Sequence, residues 1–305
     1  KLVKLFASQL GTATDRVEAL VALEVLPEYF LSAAKQLGGN KSNKSYTTYK
    51  TYIAGGTDLY VQQPDQLKNS DVAFASHNPE LSKIWQDGVH IYFGGGVTTE
   101  ALKQSPIVHE AIPSLEKDLV RVSSLQIRNR ATIAGNIVNA SPIGDLSIIF
   151  LALGAELGIS NNGQTRSIAL REFYQGYKKF DLQQGEIIVW IRIPKPTATS
   201  RFHFEKVSKR THLDIASVNT AIVLDCDGPR ISNMRLSAGG VAPFPLYLSK
   251  TCEAAQGQEM TKKLIEILLA VIDTEIAPIS DVRGSAEYKR LLLKQLVRGH
   301  FGELI

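Results

Sequence analysis

The chain has 305 residues, 44% hydrophobic and 21% charged, enough for two domains, or one domain with a substantial lobe, around a full core. Its net charge of +4 is spread without a dense Lys/Arg block, which argues against nucleic acid as the main partner. The two cysteines, Cys226 and Cys252, are too few and too far apart for an iron–sulfur cluster, a structural zinc or a disulfide framework. Neither a charged-then-apolar leader nor an apolar run of about 18 residues is present, so no signal peptide and no membrane span are expected. The compartment is read as cytoplasmic, and the N-x-S/T triplets at Asn40, Asn43 and Asn139 as chance.

From Asp15 to Leu37 the pattern predicts helix, with Val17, Leu20, Val21 and Leu23 on one apolar face and Pro27 placed to open a second helix. GGNKSNKS, from Gly38 to Ser45, reads as a flexible linker, so residues 1–45 form a helical segment and linker. A middle domain, 46–195, alternates short strand, small-residue turn and short helix. Within it VHIYFGGG, Val89 to Gly96, is a strand entering a glycine run. Thr98 or Thr99 caps the next helix, and Pro106 and Pro113 sit where prolines open new ones. DLSIIFLALGAEL predicts a capped apolar helix ended by Gly154 and followed by a strand. SNNGQ turns the chain, and the strand Glu186 to Pro194 closes the domain.

Residues 196–305 change character. RFHFEKVS, SVNTAIVLD and ISNMRLSAG read as strands, with a hairpin turn from Asp227 to Arg230. Two amphipathic helices follow, one with Leu264, Ile267, Leu268 and Val271 on its apolar face, the other with Tyr288, Leu292 and Leu296. A three-stranded sheet backed by helices is the simplest packing.

Two stretches carry chemistry. YIAGGTDL, Tyr52 to Leu59, and ATIAGNIVNASPIGD, residues 131–145, each place an apolar pair before a small-residue turn, then a hydroxyl or amide, then an acid. Such turns leave backbone N–H groups pointing into a concavity with little side chain in the way, which suits phosphate oxygens. Gly55, Gly56 and Thr57 form the first candidate nest. Thr132, the N–H groups from Ile133 to Asn136 and the Asn136 amide form the second, and Asp145 is placed to accept from a ribose or ring hydroxyl. Two facing nests would clamp a diphosphate, so a dinucleotide cofactor is the economical reading. Neither G-x-G-x-x-G nor G-x-x-x-x-G-K-[ST] is present, which excludes the doubly wound binding mode. The six histidines form no H-E-x-x-H pair and there is no G-x-S-x-G elbow, so neither metal nor serine-hydrolase chemistry is expected. The basic clusters Lys206, Lys209, Arg210 and Arg121, Arg128, Arg130 read either as solvated edges or as charge balance for a bound anion.

AGGTDL together with LQIRNRATIAGNIVNASPIGDL resembles the FAD-binding subunit or domain of the molybdenum hydroxylases, the xanthine dehydrogenase and carbon monoxide dehydrogenase medium-subunit group. FYQGYKKFDLQQGEIIVWIRIP, KVSKRTHLDIASV, GGVAPFPL and DVRGSAEYKR continue the likeness in family order, from about Tyr52 to the C-terminus. The resemblance is greatest to a bacterial xanthine dehydrogenase small subunit. It implies an α+β architecture: a two-subdomain FAD-binding fold of the vanillyl-alcohol oxidase and MurB type, then a C-terminal domain of three antiparallel strands with helices. It implies that Ile53, Ala54, Gly55, Gly56, Thr57, Asp58 and Leu59, with Thr132, Ile133, Ala134, Gly135 and Asn136, hold the pyrophosphate. Asp145 would bind a cofactor hydroxyl, Ile188 would pack near the cofactor, and Lys206 would lie close to the flavin. No catalytic side chain is implied, because the organic chemistry belongs to the cofactor.

The family also implies partners: 2Fe-2S clusters and a molybdopterin-binding large subunit as electron source, NAD or another acceptor as sink. LPEYFLSAAKQL resembles the link that follows a cluster domain, so the chain is expected to be a piece of a longer polypeptide. Ala134 stands where many relatives carry glycine, and Leu213-Asp214 where some carry two acids. A flavin-less assembly domain of the same complex is the alternative, although a scaffold has no need of two phosphate-sized turns.

Overall fold

The computed structural model describes residues 16–38 and 51–302 of the chain, which divides into two compact units, 1–45 and 46–305. Asp15 and the linker beyond Gly38 lie outside the described residues. In the first unit α1 (Arg16–Ala22) and α2 (Phe30–Gly38) flank a turn. Pro27 does not take the first position of α2. Its carbonyl accepts the Phe30 N–H at 3.0 Å, one turn ahead of the helix.

The second unit begins with β1 (Thr51–Ile53), paired in parallel with β2 (Val72–Phe74). A parallel pair needs a crossover, supplied here by α3 (Leu59–Gln62) and α4 (Pro64–Lys68). An antiparallel sheet then forms from β3 (Ile84–Gln86), β4 (His90–Gly94), β5 (Glu156–Asn161), β6 (Gln164–Ala169) and, after the small hairpin β7 (Tyr174–Gly176) and β8 (Lys179–Phe180), β9 (Ile187–Pro194). Its order is β3-β4-β9-β5-β6. The tight β5–β6 hairpin rests on Asn162 and Gly163, both at positive φ (50° and 83°), the pair a two-residue turn of this hand requires.

Between β4 and β5 run α5 (Thr99–Gln104), α6 (Pro106–Ala111), α7 (Leu115–Leu119), α8 (Leu125–Arg128), α9 (Ile133–Asn139) and α10 (Asp145–Ala152), and α11 (Leu170–Phe173) follows β6. Thr98 caps α5 through its hydroxyl, which accepts the Ala101 N–H at 3.1 Å. Pro106 opens α6 as expected. Pro113 opens nothing: it lies one residue before Ser114, the residue flanking α7. Every residue of α10 from Leu146 to Ala152 is buried, and Phe150 meets Phe93 of β4 edge-on at 5.4 Å between ring centroids. A helix apolar on all sides has to be enclosed on all sides.

The enclosure is completed by β10 (Arg201–Val207), β11 (Val218–Asp227), β12 (Arg230–Gly239) and a fourth, two-residue edge strand, β13 (Leu246–Tyr247). Side chains alternate along these strands. Phe204, Ala221 and Val223 join the core around α10, while Val218, Ile222 and Leu224 join a second core with α12 (Ser249–Ala255), α13 (Lys262–Glu275) and α14 (Ala286–Gly302). The sheet is therefore a shared wall between two cores.

Both C-terminal helices are rotated from the faces expected. α13 buries Leu264, Ile265, Leu268, Leu269 and Ile272, and Ile267 is exposed. α14 buries Lys289, Leu293, Val297, His300 and Phe301, with Tyr288 exposed. The cause in α14 is that two polar residues belong to the buried stripe. Lys289 folds its aliphatic stem inward and donates to the Ile279 carbonyl, pairing with Asp281 at 2.9 Å. His300 contacts the hydroxyl of Thr220 at 2.8 Å.

One buried ion pair holds the segment leading into α9. Arg128 donates from Nε to Glu100 at 2.8 Å and from Nη1 to the carbonyls of Val120, Val122 and Ser123. The Arg128 hydrogen bond holds the Glu100 carboxyl below its ordinary value of 4.5, so the stability it contributes is complete above that pH and lost as pH falls through the lower folded value. Glu100→Gln leaves Arg128 buried without its partner and lowers unfolding stability by about 3–5 kcal/mol at neutral pH. Urea titrations should show the gap between variant and wild type narrowing in acid.

Candidate functional site

The turn that leaves β1 is pressed against the chain that enters α9. A Cβ built on Gly55 would fall 1.9 Å from the Arg130 carbonyl oxygen and 3.0 Å from the Ala131 Cα, an approach only glycine permits. Gly56 follows at φ +75°. On the other side, a Cβ at Gly135 would lie 3.9 Å from the Ala54 side chain. The two turns picked out in the sequence are thus in mutual contact.

A third stretch joins them. A Cβ on Gly95 would sit 2.0 Å from the Ile188 carbonyl oxygen and 3.6 Å from the Ala134 side chain, so the glycine run after β4 is the place where Ile188 reaches α9. Backbone bonds from Thr99 to the Ala131 carbonyl (2.9 Å) and from Ile133 to the Val97 carbonyl (3.0 Å) lock this corner. Ile53 and Ile188 are buried beneath it, Thr57 is half-buried, Leu59 opens α3, and Asp58 is exposed.

The donors are fewer than the sequence implies. Thr132 caps α9 by accepting the Gly135 N–H at 3.0 Å, the Ile133 N–H goes to Val97, and the Asn136 N–H goes to the Thr132 carbonyl at 3.0 Å. Of these four amides Ala134 has no acceptor among the described residues, and the same holds for Gly55, Gly56 and Thr57 in the first turn. The Asn136 carboxamide oxygen accepts both N–H and Oγ–H from Ser147 at 3.1 Å, tying α9 to the first turn of α10. Sequence spacing carries no sign of these commitments. What remains is a corner with spare backbone donors at Gly55, Gly56, Thr57 and Ala134, the Tyr60 ring packed against Gly56, and such donors suit a diphosphate.

Asp145, the first residue of α10, is held from the C-terminal sheet. Its Oδ2 pairs with Lys206 Nζ and its Oδ1 accepts from Asn219 Nδ2, both at 2.6 Å. Lys206 also donates to the Arg121 carbonyl at 3.0 Å, and its side chain is 3% exposed. Asp145 and Lys206, expected to serve the cofactor separately, form one buried pair. Asn219 was not anticipated. Its position on β11 opposite Lys206 follows from strand register, which no local motif reports.

The basic clusters resolve differently. Arg128 serves the fold. Arg121 spans Asp118 (2.7 Å), the Phe204 carbonyl (2.8 Å) and the Phe204 ring, and burial pushes the Asp118 carboxyl up. Lys209 donates to the Val282 carbonyl and Arg210 pairs with Asp214, both on the surface.

Two glycine turns in contact and a carboxylate–lysine pair thus sit in a two-core α+β frame. Residues 34–196 match the family described as the FAD binding domain in molybdopterin dehydrogenase, and residues 203–304 match the CO dehydrogenase flavoprotein C-terminal domain. The chain belongs to this family of FAD-binding subunits of the molybdenum hydroxylases, and its cofactor is FAD. It is 28% identical over 219 residues to the carbon monoxide dehydrogenase medium chain of Afipia carboxidovorans, covering 72% of this chain and 76% of that one. It is 28% identical over 257 residues to the nicotinate dehydrogenase FAD-subunit of Eubacterium barkeri (83% and 86% covered). It is 35% identical over 260 residues to xanthine dehydrogenase 1 of Arabidopsis thaliana, covering 79% of this chain and 19% of that longer protein. The crystal structure of the Cu,Mo-CO dehydrogenase superposes with a TM-score of 0.77 at 26% identity, covering 83% of this chain and 90% of that one.

Gly55→Val drives a branched side chain into the Arg130 carbonyl and separates the two turns. Purified variant protein is expected to carry less than about a tenth of the wild-type flavin absorbance while losing only about 1–3 kcal/mol of unfolding stability. Flavin content per chain and a denaturant titration of the same sample check both numbers.

Proposed function

We propose that this chain is the FAD-carrying relay of a molybdenum hydroxylase, receiving electrons from 2Fe-2S clusters and passing them to NAD or another acceptor. The observation that carries the reading is the contact of the Gly55 turn with Arg130 and Ala131, which brings the two sets of spare amides into one corner. FAD, when bound, supplies the redox chemistry, accepting electrons and yielding them again. This chain's residues hold and bias it. Ile53 to Leu59 and Thr132 to Asn136 form the pyrophosphate cradle, with Gly55, Gly56, Thr57 and Ala134 as the donors. Asp145 accepts a cofactor hydroxyl, and Ile188 closes the floor. Residues 46–195 make the binding domain and residues 196–305 the C-terminal domain, which reaches the site through Lys206.

Three finer assignments belong to the same proposal. The partners are a molybdopterin-binding large subunit and a 2Fe-2S domain or subunit, since relatives bear the names of medium and FAD subunits of dehydrogenases and hydroxylases. The holoenzyme is xanthine-dehydrogenase-like, supported by the 35% identity to the plant protein against 28% and 29% to two carbon monoxide dehydrogenase medium chains. The site of action is cytoplasmic, supported by two cysteines that are both free thiols. Among the described residues no helix is long and apolar enough to cross a membrane.

The first test is the absorbance spectrum of the purified full chain. Flavin bands at close to one equivalent are expected, and a colourless protein that also refuses added FAD would make it the scaffold instead. Lys206 gives the second. A cation near the ring favours the negative charge that reduction places there. Lys206→Met, which also leaves Asp145 uncompensated, should lower the flavin midpoint by about 30 mV or more, the equivalent of about tenfold in a two-electron equilibrium, in a spectroelectrochemical titration; an unmoved potential removes Lys206 from this role.

A further inference from the structure

Lys206, Asn219 and Gly239 stand in register across β10, β11 and β12, in one row on the face turned to α10. Asn219, at the centre, is fully buried. Its Nδ2 donates to Asp145 Oδ1 at 2.6 Å and to the Ile143 carbonyl at 3.4 Å, whereas its Oδ1 is buried with no partner. Gly239 makes room for that oxygen: a Cβ there would lie 2.1 Å from it. Burying an amide with an unpaired acceptor is unfavourable, and an apolar residue of the same size would avoid the loss. What such a residue could not supply is the donor, and the donor is aimed at the carboxylate that Lys206 grips from its other oxygen.

A carboxylate held at one oxygen can swing about its Cβ–Cγ bond. Held at both, its plane is fixed, and the lone pairs left over point in set directions. We propose that Asn219 is a positioning residue of the FAD site: it fixes the plane of the Asp145 carboxylate so that Asp145 accepts the cofactor hydroxyl, and it acts through Asp145 without touching the cofactor. The inference rests on the assignment of Asp145 to FAD made above. Around the pair, Lys206 is the cation in direct contact. Arg121 offers its carbonyl and turns its guanidinium to Asp118 and Glu205.

That charge set makes Asn219→Asp diagnostic. It places a second carboxylate against Asp145 with one lysine to compensate both, so the two acids share a proton at low pH and repel once it leaves. The full chain, stripped of flavin, is titrated with FAD by fluorescence quenching from about pH 5.5 to 8.5, the span over which a shared proton of this kind is lost. Wild type should be nearly flat. Asn219→Asp should bind close to wild type at the acid end, which also shows that it folds, and about tenfold more weakly at the alkaline end, the equivalent of one pKa unit. If Asn219→Asp follows wild type at every pH, the inference is wrong. Should that variant show no cooperative unfolding transition, Asn219→Ala decides: weaker FAD binding with an unchanged melting temperature supports the role, and wild-type affinity overturns it. Asp145→Asn separates the two levels. If wild type binds FAD and Asp145→Asn binds equally well, the assignment of Asp145 falls and this inference with it; if Asp145→Asn weakens binding while the Asn219 variants do not, only this inference falls.

Discussion

The whole arrangement depends on one backbone-to-backbone approach, that of Gly55 to the Arg130 carbonyl. A residue with a Cβ at position 55 would have to retreat, and the spare amides of the first turn would leave those beside α9. The approach is possible because both partners are otherwise fixed. β1 is held by β2 through a local crossover, and the chain around Arg130 is held by the buried Arg128–Glu100 pair and by two backbone bonds to the 97–99 segment. Rigid supports on each side allow a contact made of backbone alone to persist.

The second constraint is the enclosure of α10. An all-apolar helix begins with Asp145, and the acid can sit at that buried end because the C-terminal sheet brings a lysine and an amide to it. The same sheet binds the helix further along, where Ser237 donates to the Ile148 carbonyl at 2.7 Å and Arg235 to the Ala152 carbonyl at 3.0 Å. The C-terminal domain is thus tied to both ends of α10 by an ion pair and hydrogen bonds. Displacing it would leave a charged side chain unpartnered at the end of a buried helix, a far larger penalty than losing a surface contact.

Features set by residues close in sequence were legible: a threonine cap at 98 or 99, the Gly154 stop, the SNNGQ turn and the two glycine turns themselves. Those that depend on what arrives from far away were not. The buried stripe of α14 contains Lys289 and His300, which a hydropathy pattern counts as solvent-facing until their partners are known. The amide of Ile133 looks available in isolation and is spent once Val97 is placed. Asn219 is a matter of register: shift β11 by one residue against β10 and another side chain faces Asp145. β13 escaped notice because two residues directly after Pro243 and Pro245 show no periodicity.

The charges along β10 are compensated close by. Along the edge strand β10, Glu205 is held below its usual range first by its bond to His203, whose Nδ1 faces Nδ1 of His300 at 2.9 Å. Burial drives His300 down to about 3, so it stays neutral at any physiological pH and contributes no cation. On the other side Arg121 is occupied by Asp118 and Glu205. Each of these charges is compensated within a few ångströms, and compensated pairs decay quickly with distance. The Lys206–Asp145 pair is compensated in the same way, so its orientation, not its sum, decides the sign of the field it adds nearby.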